Sequence, residues 1–196
     1  MAQPVAADVI LIRHAPSEGA GRLAGRLDVP ALLPQGGAIA QARARLAALA
    51  AAGAQLVSSP ARRCLETAAA LCPGAGVAQD ARLWEQDFGD WEGQPYAALP
   101  NLGALPRADL AGFRPPGGES FLDVVSRARP ALAAIAAAGP AVIVAHAGTI
   151  RAALGLALDQ PPLGLAFEIA PLSATLLRRL TDGQWSAGFV NLSLIA

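Results

Sequence analysis

Val9-Ile10-Leu11-Ile12-Arg13-His14-Ala15 decides how the chain is read. Four β-branched or aliphatic residues in a row make a short buried strand. An arginine and a histidine then stand at its end, where a parallel sheet presents its ligand chemistry. The stretch Val142-Ile143-Val144-Ala145-His146-Ala147-Gly148-Thr149 repeats that grammar. The chain has two histidines, and each closes one of these strands.

Working outward, residues 1–7 read as a loose lead-in and Pro16 to Pro34 as a long Gly- and Pro-rich loop over the strand end; long loops in compact domains tend to be functional. Gly36 to Ala52 reads as a helix with Ile39, Ala42, Leu46 and Leu49 facing the core. Gln55 to Ser58 is a second strand. Ser59-Pro60 opens the next helix, with Ser59 as cap and Pro60 at the first helical position. Gly76 to Ala81 is a weak strand, Leu83 to Gly93 a loop, and Tyr96 to Leu110 holds a short helix. Ser120 to Ala138 is a helix opened by Ser120 and Asp123 that Pro130 should kink or split. Thr149 to Leu158 is a helix directly after Gly148. Ala174 to Leu180 and Trp185 to Leu192 form a hairpin, whose apolar edge would suit a homodimer. Strands alternating with helices predict a three-layer α/β/α fold around a largely parallel central sheet. No repeat or linker divides the chain, so residues 1–196 are read as one domain.

Composition narrows the function. Of 196 residues, 54% are hydrophobic and 15% charged, which fits a folded globule. Net charge is zero, so no global field draws the chain to nucleic acid or an anionic membrane, and any anion site must be local. All fifteen basic residues are arginine. That removes lysine Schiff-base chemistry and the lysine-bearing phosphate loop, and leaves the better bidentate phosphate partner. Cys64 and Cys72 make neither a disulfide framework nor a zinc signature and are read as reduced packing residues. No apolar run spans a bilayer and no signal-peptide pattern opens the sequence, so the expectation is a cytoplasmic protein.

A lone histidine at a strand end is more often structural than catalytic. Here the Arg13-His14 pair and the long loop after it favour chemistry. His146-Ala147-Gly148-Thr149 lies between a strand and a helix, where backbone N–H groups and the helix dipole favour an anion. Arg63 lies near the start of the helix after Ser59-Pro60, with Arg62 about 100° away round it. Two histidines and two arginines at three strand ends would cradle a phosphoryl group.

Five segments in order strengthen this reading: Leu-Ile-Arg13-His14-Ala, Ser58-Ser59-Pro60-Ala-Arg-Arg63-Cys-Leu-Glu-Thr67, Glu85-Gln-Asp-Phe-Gly89-Asp-Trp-Glu92-Gly93, Gly118-Glu119-Ser120, and Val-Ala-His146-Ala-Gly148-Thr-Ile-Arg151. Together they resemble the ordered motifs of the histidine phosphatase superfamily, which includes cofactor-dependent phosphoglycerate mutase. The resemblance implies a phosphoglycerate mutase-like fold and a metal-independent phosphomonoesterase acting on a small-molecule phosphate ester, with no cofactor and no metal. It implies that His14 is the nucleophile forming a phosphohistidine. Glu85 would be the proton donor to the leaving oxygen, with His146 the second catalytic histidine. Arg13, Arg63, His146 and Gly148 would bind the phosphoryl oxygens.

Two departures stand out. Ala15 replaces the usual glycine after the histidine, and Ala20 stands where many members carry a pocket asparagine, so that contact is either missing or supplied by Ser17, Arg22 or Arg26. Arg-His-Ala-Pro together with Phe-Gly-Asp-Trp-Glu-Gly resembles the alpha-ribazole phosphatase branch, which implies alpha-ribazole 5'-phosphate as substrate. The alternatives are a mutase, although 196 residues is short for one, and an inactive phosphate-binding regulatory domain. Asp87, Asp90 and Glu92 are read as loop hydrogen-bonders, Trp84, Trp91, Tyr96 and Phe113 as pocket or core aromatics, and Glu119 and Ser120 as helix caps.

Overall fold

Val9 to Ile12 is the part of the first strand that has a neighbour on each side, and this explains its unbroken apolar run. The computed structural model describes residues 5–19, 21–103 and 105–195; Ala20 lies outside them. Among these, strands β1 (Val5–Arg13), β2 (Gln55–Ser58), β3 (Ala78–Gln79), β4 (Ala141–Ala145), β5 (Ser173–Leu180) and β6 (Trp185–Ser193) form one sheet. Its order is β3-β2-β4-β1-β5-β6. The first four are parallel, while β5 runs antiparallel to β1 and to β6. The helices are α1 (Ala38–Leu49), α2 (Arg62–Leu71), α3 (Arg107–Gly112), α4 (Phe121–Ala137) and α5 (Ala147–Ala157).

Alternation along the central strands builds the three layers. Val9, Leu11 and Ile143 pack with Val124, Leu132 and Ile150 of α4 and α5. Ile10, Ile12, Val142 and Val144 pack with Leu46, Cys64 and Ala68 of α1 and α2 on the other face. Period-two side chains therefore feed two apolar cores, one on each side of the sheet. No helix among the described residues is long and apolar enough to cross a membrane.

Several boundaries differ from the sequence reading. Of the lead-in expected over residues 1–7, residues 1–4 lie outside the described residues and 5–7 are strand, because β5 offers them an antiparallel ladder. The expected strand over 76–81 shrinks to Ala78–Gln79 and the 83–93 segment holds a 3-10 turn at Gly89–Trp91, while the short helix expected within 96–110 is found as a 3-10 turn at Tyr96–Ala98 and the start of α3 at Arg107. Ser59 does not cap α2, whose N-cap is Ala61. Helix α5 begins at Ala147 with His146 as its N-cap, two residues before the expected start. The expected capping of α4 is present, with Ser120 and Asp123 forming a reciprocal capping box.

Pro130 neither splits nor ends α4, which runs unbroken from Phe121 to Ala137. Pro130 and Ser126, whose carbonyl loses its usual donor, lie on the exposed face, where water solvates that carbonyl. The opposite face buries Val124, Val125, Ala128, Leu132 and Ile135, and this packing holds the helix together. Pro130→Ala is therefore expected to stabilise the protein by about 1–3 kcal/mol, read as a higher melting temperature. A lower one would show that the proline is required by the packing.

Candidate active site

The parallel strands place the chemistry by register. Arg13 pairs with Ala145, so the residues that follow, His14 and His146, emerge together. The His14 N–H donates to the Ala145 carbonyl at 3.0 Å, and the Ser59 N–H donates to the Val144 carbonyl at 2.9 Å. The two imidazole centroids lie 5.2 Å apart, edge to face. A cavity of about 450 Å3 opens at these strand ends. Arg13, His14, Ser17, Arg22, Arg63, Glu85, Tyr96 and Arg151 line it, and Glu85 is the only carboxylate among the described lining residues.

His14 is 7% exposed. Its Nδ1 lies 2.6 Å from the Ala15 carbonyl. A carbonyl can only accept, so Nδ1 carries the proton and Nε2 keeps its lone pair. Burial is the main reason the His14 pKa falls from 6.5 to about 3, and the charges of Arg63 and Arg13 push in the same direction. His14 is thus a neutral imidazole with its tautomer fixed.

The arginines around it lean on carbonyl oxygens. Arg13 Nη1 donates to Ile169, Arg22 Nη1 to Gly93 at 2.9 Å, and Arg151 Nε to Phe167 at 2.9 Å. Arg63, 1% exposed, donates to Leu27 and Gly25, both at 2.7 Å, and to Ala24 at 3.3 Å. A carbonyl satisfies the donor without cancelling the charge, so four cations face one carboxylate. The Arg13 Nε is buried with no protein partner among the described residues. The loop over residues 24–27 that Arg63 grips is also held by Glu92, which accepts the N–H groups of Gly25, Arg26, Leu27 and Phe88. The hydrogen-bonding role expected of the acidic loop is thus present for Glu92, and Asp87 likewise accepts from the Gly89 N–H. A Cβ at Gly25 would fall 2.0 Å from the Gln86 carbonyl, so the two loops touch backbone to backbone there.

Three expectations need correction. His146 reaches the site but is 0% exposed and does not line the cavity; Ala147 does. Its Nδ1 accepts from Arg63 Nη2 at 3.2 Å, which leaves Nε2–H to donate to Ser59 Oγ at 2.8 Å. That bond, rather than helix capping, is what occupies Ser59. Burial, and next the neighbouring His14, keep His146 well below its ordinary pKa. The Gly148 N–H, expected on phosphate, donates instead to Glu85 Oε2 at 3.1 Å. The α5 N-terminus does meet an acceptor, but that acceptor is the Glu85 side chain. Finally, Arg26 lies outside the cavity lining, pairing with Glu119 at 3.4 Å and sitting over the Trp84 ring.

The remaining candidates sort cleanly. Ser17 and Arg22 line the cavity, and Tyr96, 57% exposed, stands in its wall. Trp84 stacks on His146, while Trp91 stacks on Phe113 away from the cavity. Arg62 pairs with Glu66 on the outer face, as its place on the helix predicts. Both cysteines are free, and burial pushes the Cys64 thiol up, which leaves it unreactive. Arg151 belongs to a motif but received no role from the sequence, and Arg127 gave no signal at all.

A model of the histidine phosphatase superfamily (branch 1) matches residues 9–192. The chain belongs to that superfamily. It is 35% identical over 150 residues to glucosyl-3-phosphoglycerate phosphatase of Mycobacterium tuberculosis, a match covering 68% of this chain and 66% of the relative. The chain therefore spans less than two thirds of the length of the curated relatives it matches. A solved mycobacterial glucosyl-3-phosphoglycerate phosphatase with VO3 superposes with a TM-score of 0.80 at 31% identity, covering 95% of this chain and all of the other. Alpha-ribazole phosphatase from Shigella flexneri superposes with a TM-score of 0.76 over 96% of this chain and 98% of its own. At 21% identity it shows the shared fold.

The His14 environment makes a pH prediction. The imidazole should stay neutral from pH 8 to 5, read by its 15N shifts, and titration near 6.5 would contradict the geometry. Because the folded pKa lies below the unfolded 6.5, only the unfolded chain takes up this proton between pH 6.5 and about 3. Stability should therefore hold above pH 6.5 and fall below it, with His146 adding in the same direction.

Proposed function

We propose that this chain hydrolyses phosphate monoesters of small metabolites, without a metal, through a phosphohistidine on His14. The single observation that carries the reading is a neutral, tautomer-fixed His14 Nε2 in a cavity whose arginines are held by carbonyls and keep their charge. His14 Nε2 attacks phosphorus as the ester P–O bond breaks, and a carboxyl at Glu85 gives its proton to the departing alkoxide. Bond formation makes the imidazole cationic, and its Nδ1–H stays on the Ala15 carbonyl, which favours that charge. Water then attacks phosphorus, the Glu85 carboxylate takes the proton, the N–P bond breaks, and inorganic phosphate leaves. Arg13 and Arg63 supply the positive charge that the equatorial oxygens need.

The substrate class follows from the other cavity wall and from the relatives. Arg22, Arg151 and Tyr96 suit a polar or anionic leaving group on an alkyl oxygen, and glucosyl-3-phosphoglycerate is such an ester. The alpha-ribazole reading rests on Arg-His-Ala-Pro together with Phe-Gly-Asp-Trp-Glu-Gly, and two residues of the second motif have structural tasks here. Glu92 binds backbone amides and Trp91 stacks on Phe113.

Phosphate release from p-nitrophenyl phosphate should survive EDTA and fall by roughly a thousandfold or more in His14→Ala. Glucosyl-3-phosphoglycerate and 3-phosphoglycerate should be better substrates than alpha-ribazole 5'-phosphate in the same assay. Binding of these esters without release would leave a phosphate-binding domain and overturn the reading. Transfer to a second hydroxyl in place of water would make the chain a mutase.

A further inference from the structure

Glu85 has to stand within reach of the leaving oxygen, yet among the described residues its own side chain accepts only from the Gln86 and Gly148 N–H groups. The segment that carries it is anchored from α4 by Arg127. A guanidinium has five N–H donors, and here each has an acceptor. Nη1 donates to the carbonyls of Arg82 at 2.8 Å and Trp84 at 2.7 Å. Nη2 donates to the Glu85 carbonyl at 2.8 Å and to Glu119 Oε2 at 2.9 Å. Nε donates to Glu119 Oε1 at 3.0 Å.

Glu119 extends the clamp past Glu85. Its Oε2 also accepts the Asp87 N–H at 3.0 Å, its carbonyl accepts Gln86 Nε2 at 2.6 Å, and its own N–H donates to the Asp87 carbonyl at 2.8 Å. Glu85 therefore sits between two fixed neighbours. The Arg127–Glu119 pair is mostly shielded, with 17% and 23% of the side chains exposed. Burial is the largest single influence on the Glu119 carboxyl and raises its pKa, but the hydrogen bonds from Arg127 and the Asp87 N–H, with the charges of Arg127 and Arg26, outweigh it and hold the group below its ordinary value.

We infer that Arg127, with Glu119 as its partner, is the positioning residue for Glu85. The inference rests on the proton-donor role proposed for that carboxyl. Arg127 does not itself line the cavity, and it reaches Glu85 through the backbone carbonyl rather than the carboxyl. Its planar fork cannot be reproduced by a lysine, whose single ammonium reaches some of these acceptors but not all five. Displacement of an acid by about 1 Å can cost on the order of a hundredfold in the step it serves. The loss falls on the proton transfer alone. Thr149 Oγ1 also holds the Leu83 and Trp84 carbonyls, so the segment keeps an anchor when Arg127 is changed.

The test compares two esters on one preparation, so that the fraction of folded enzyme cancels. An alkyl phosphate such as glycerol phosphate needs a proton on its leaving oxygen, whereas p-nitrophenyl phosphate hardly does. Arg127→Lys should lower kcat/KM for the alkyl ester about tenfold more than for the aryl ester. In a Glu85→Gln background the same change should have no selective effect, because the group being positioned is gone. Equal loss on both esters in Arg127→Lys, with a selective loss in Glu85→Gln alone, overturns the clamp and leaves the acid standing. No selective loss in either single variant overturns the role of Glu85 and the clamp with it. A selective loss that persists in the double variant also overturns the clamp.

Discussion

A histidine kept uncharged inside a ring of uncancelled arginines is the constraint on which the site depends. Were His14 exposed, it would be partly protonated near neutral pH, and the protonated fraction could not attack phosphorus. Were the arginines paired with carboxylates, the cavity would be neutral and would not hold a phosphoryl group. The fold meets both conditions with backbone. The Ala15 carbonyl fixes the His14 tautomer, and the carbonyls of Ile169, Gly93, Phe167, Leu27, Gly25 and Ala24 hold the arginines in place. The same positive charges that await the substrate then help keep the imidazole neutral.

The sheet makes this arrangement possible. Parallel pairing of β1 with β4 brings two strand ends to one edge, and β2 beside β4 adds Ser59 and the α2 residue Arg63. Helix α5 turns its first N–H groups toward the Glu85 carboxylate, and α4 fixes the Glu85 backbone through Arg127. His14 comes from the end of β1 and Glu85 from the loop after the 3-10 turn at Ala81–Leu83, so the imidazole and the carboxyl reach one cavity from separate segments of the chain. Gly148 allows the approach, since a Cβ there would lie 2.1 Å from Glu85 Oε1.

What the sequence reveals, and what it conceals, divides along the reach of each interaction. Val9–Ile12 and Val142–Ala145 are legible because strands buried on both faces must be apolar throughout. His14, Arg13, Arg63 and Glu85 are legible because they sit in short ordered motifs, and all four line one cavity. The fate of a particular hydrogen bond is not legible. Ser59 looks like a helix cap, but His146, 87 residues away, takes its hydroxyl. Gly148 looks like a phosphate donor until Glu85 arrives from 63 residues earlier. Arg26 resembles a loop cation, yet Glu119 claims it across 93 residues. Arg127 lies in an ordinary amphipathic helix, and only the folded chain shows that its five donors converge on the segment bearing the acid. Pro130 misleads for a related reason, since its cost depends on whether the freed carbonyl faces water.

The measurement that bears most directly on this account is the mass of the enzyme quenched in alkali during turnover of an excess of substrate. The account predicts one added phosphoryl group, stable to alkali and labile to acid, bonded to His14 Nε2 as read by 31P–15N coupling. Turnover with no phosphoryl adduct at any quench time, in an enzyme still disabled by His14→Ala, would contradict it and assign His14 to activating water directly.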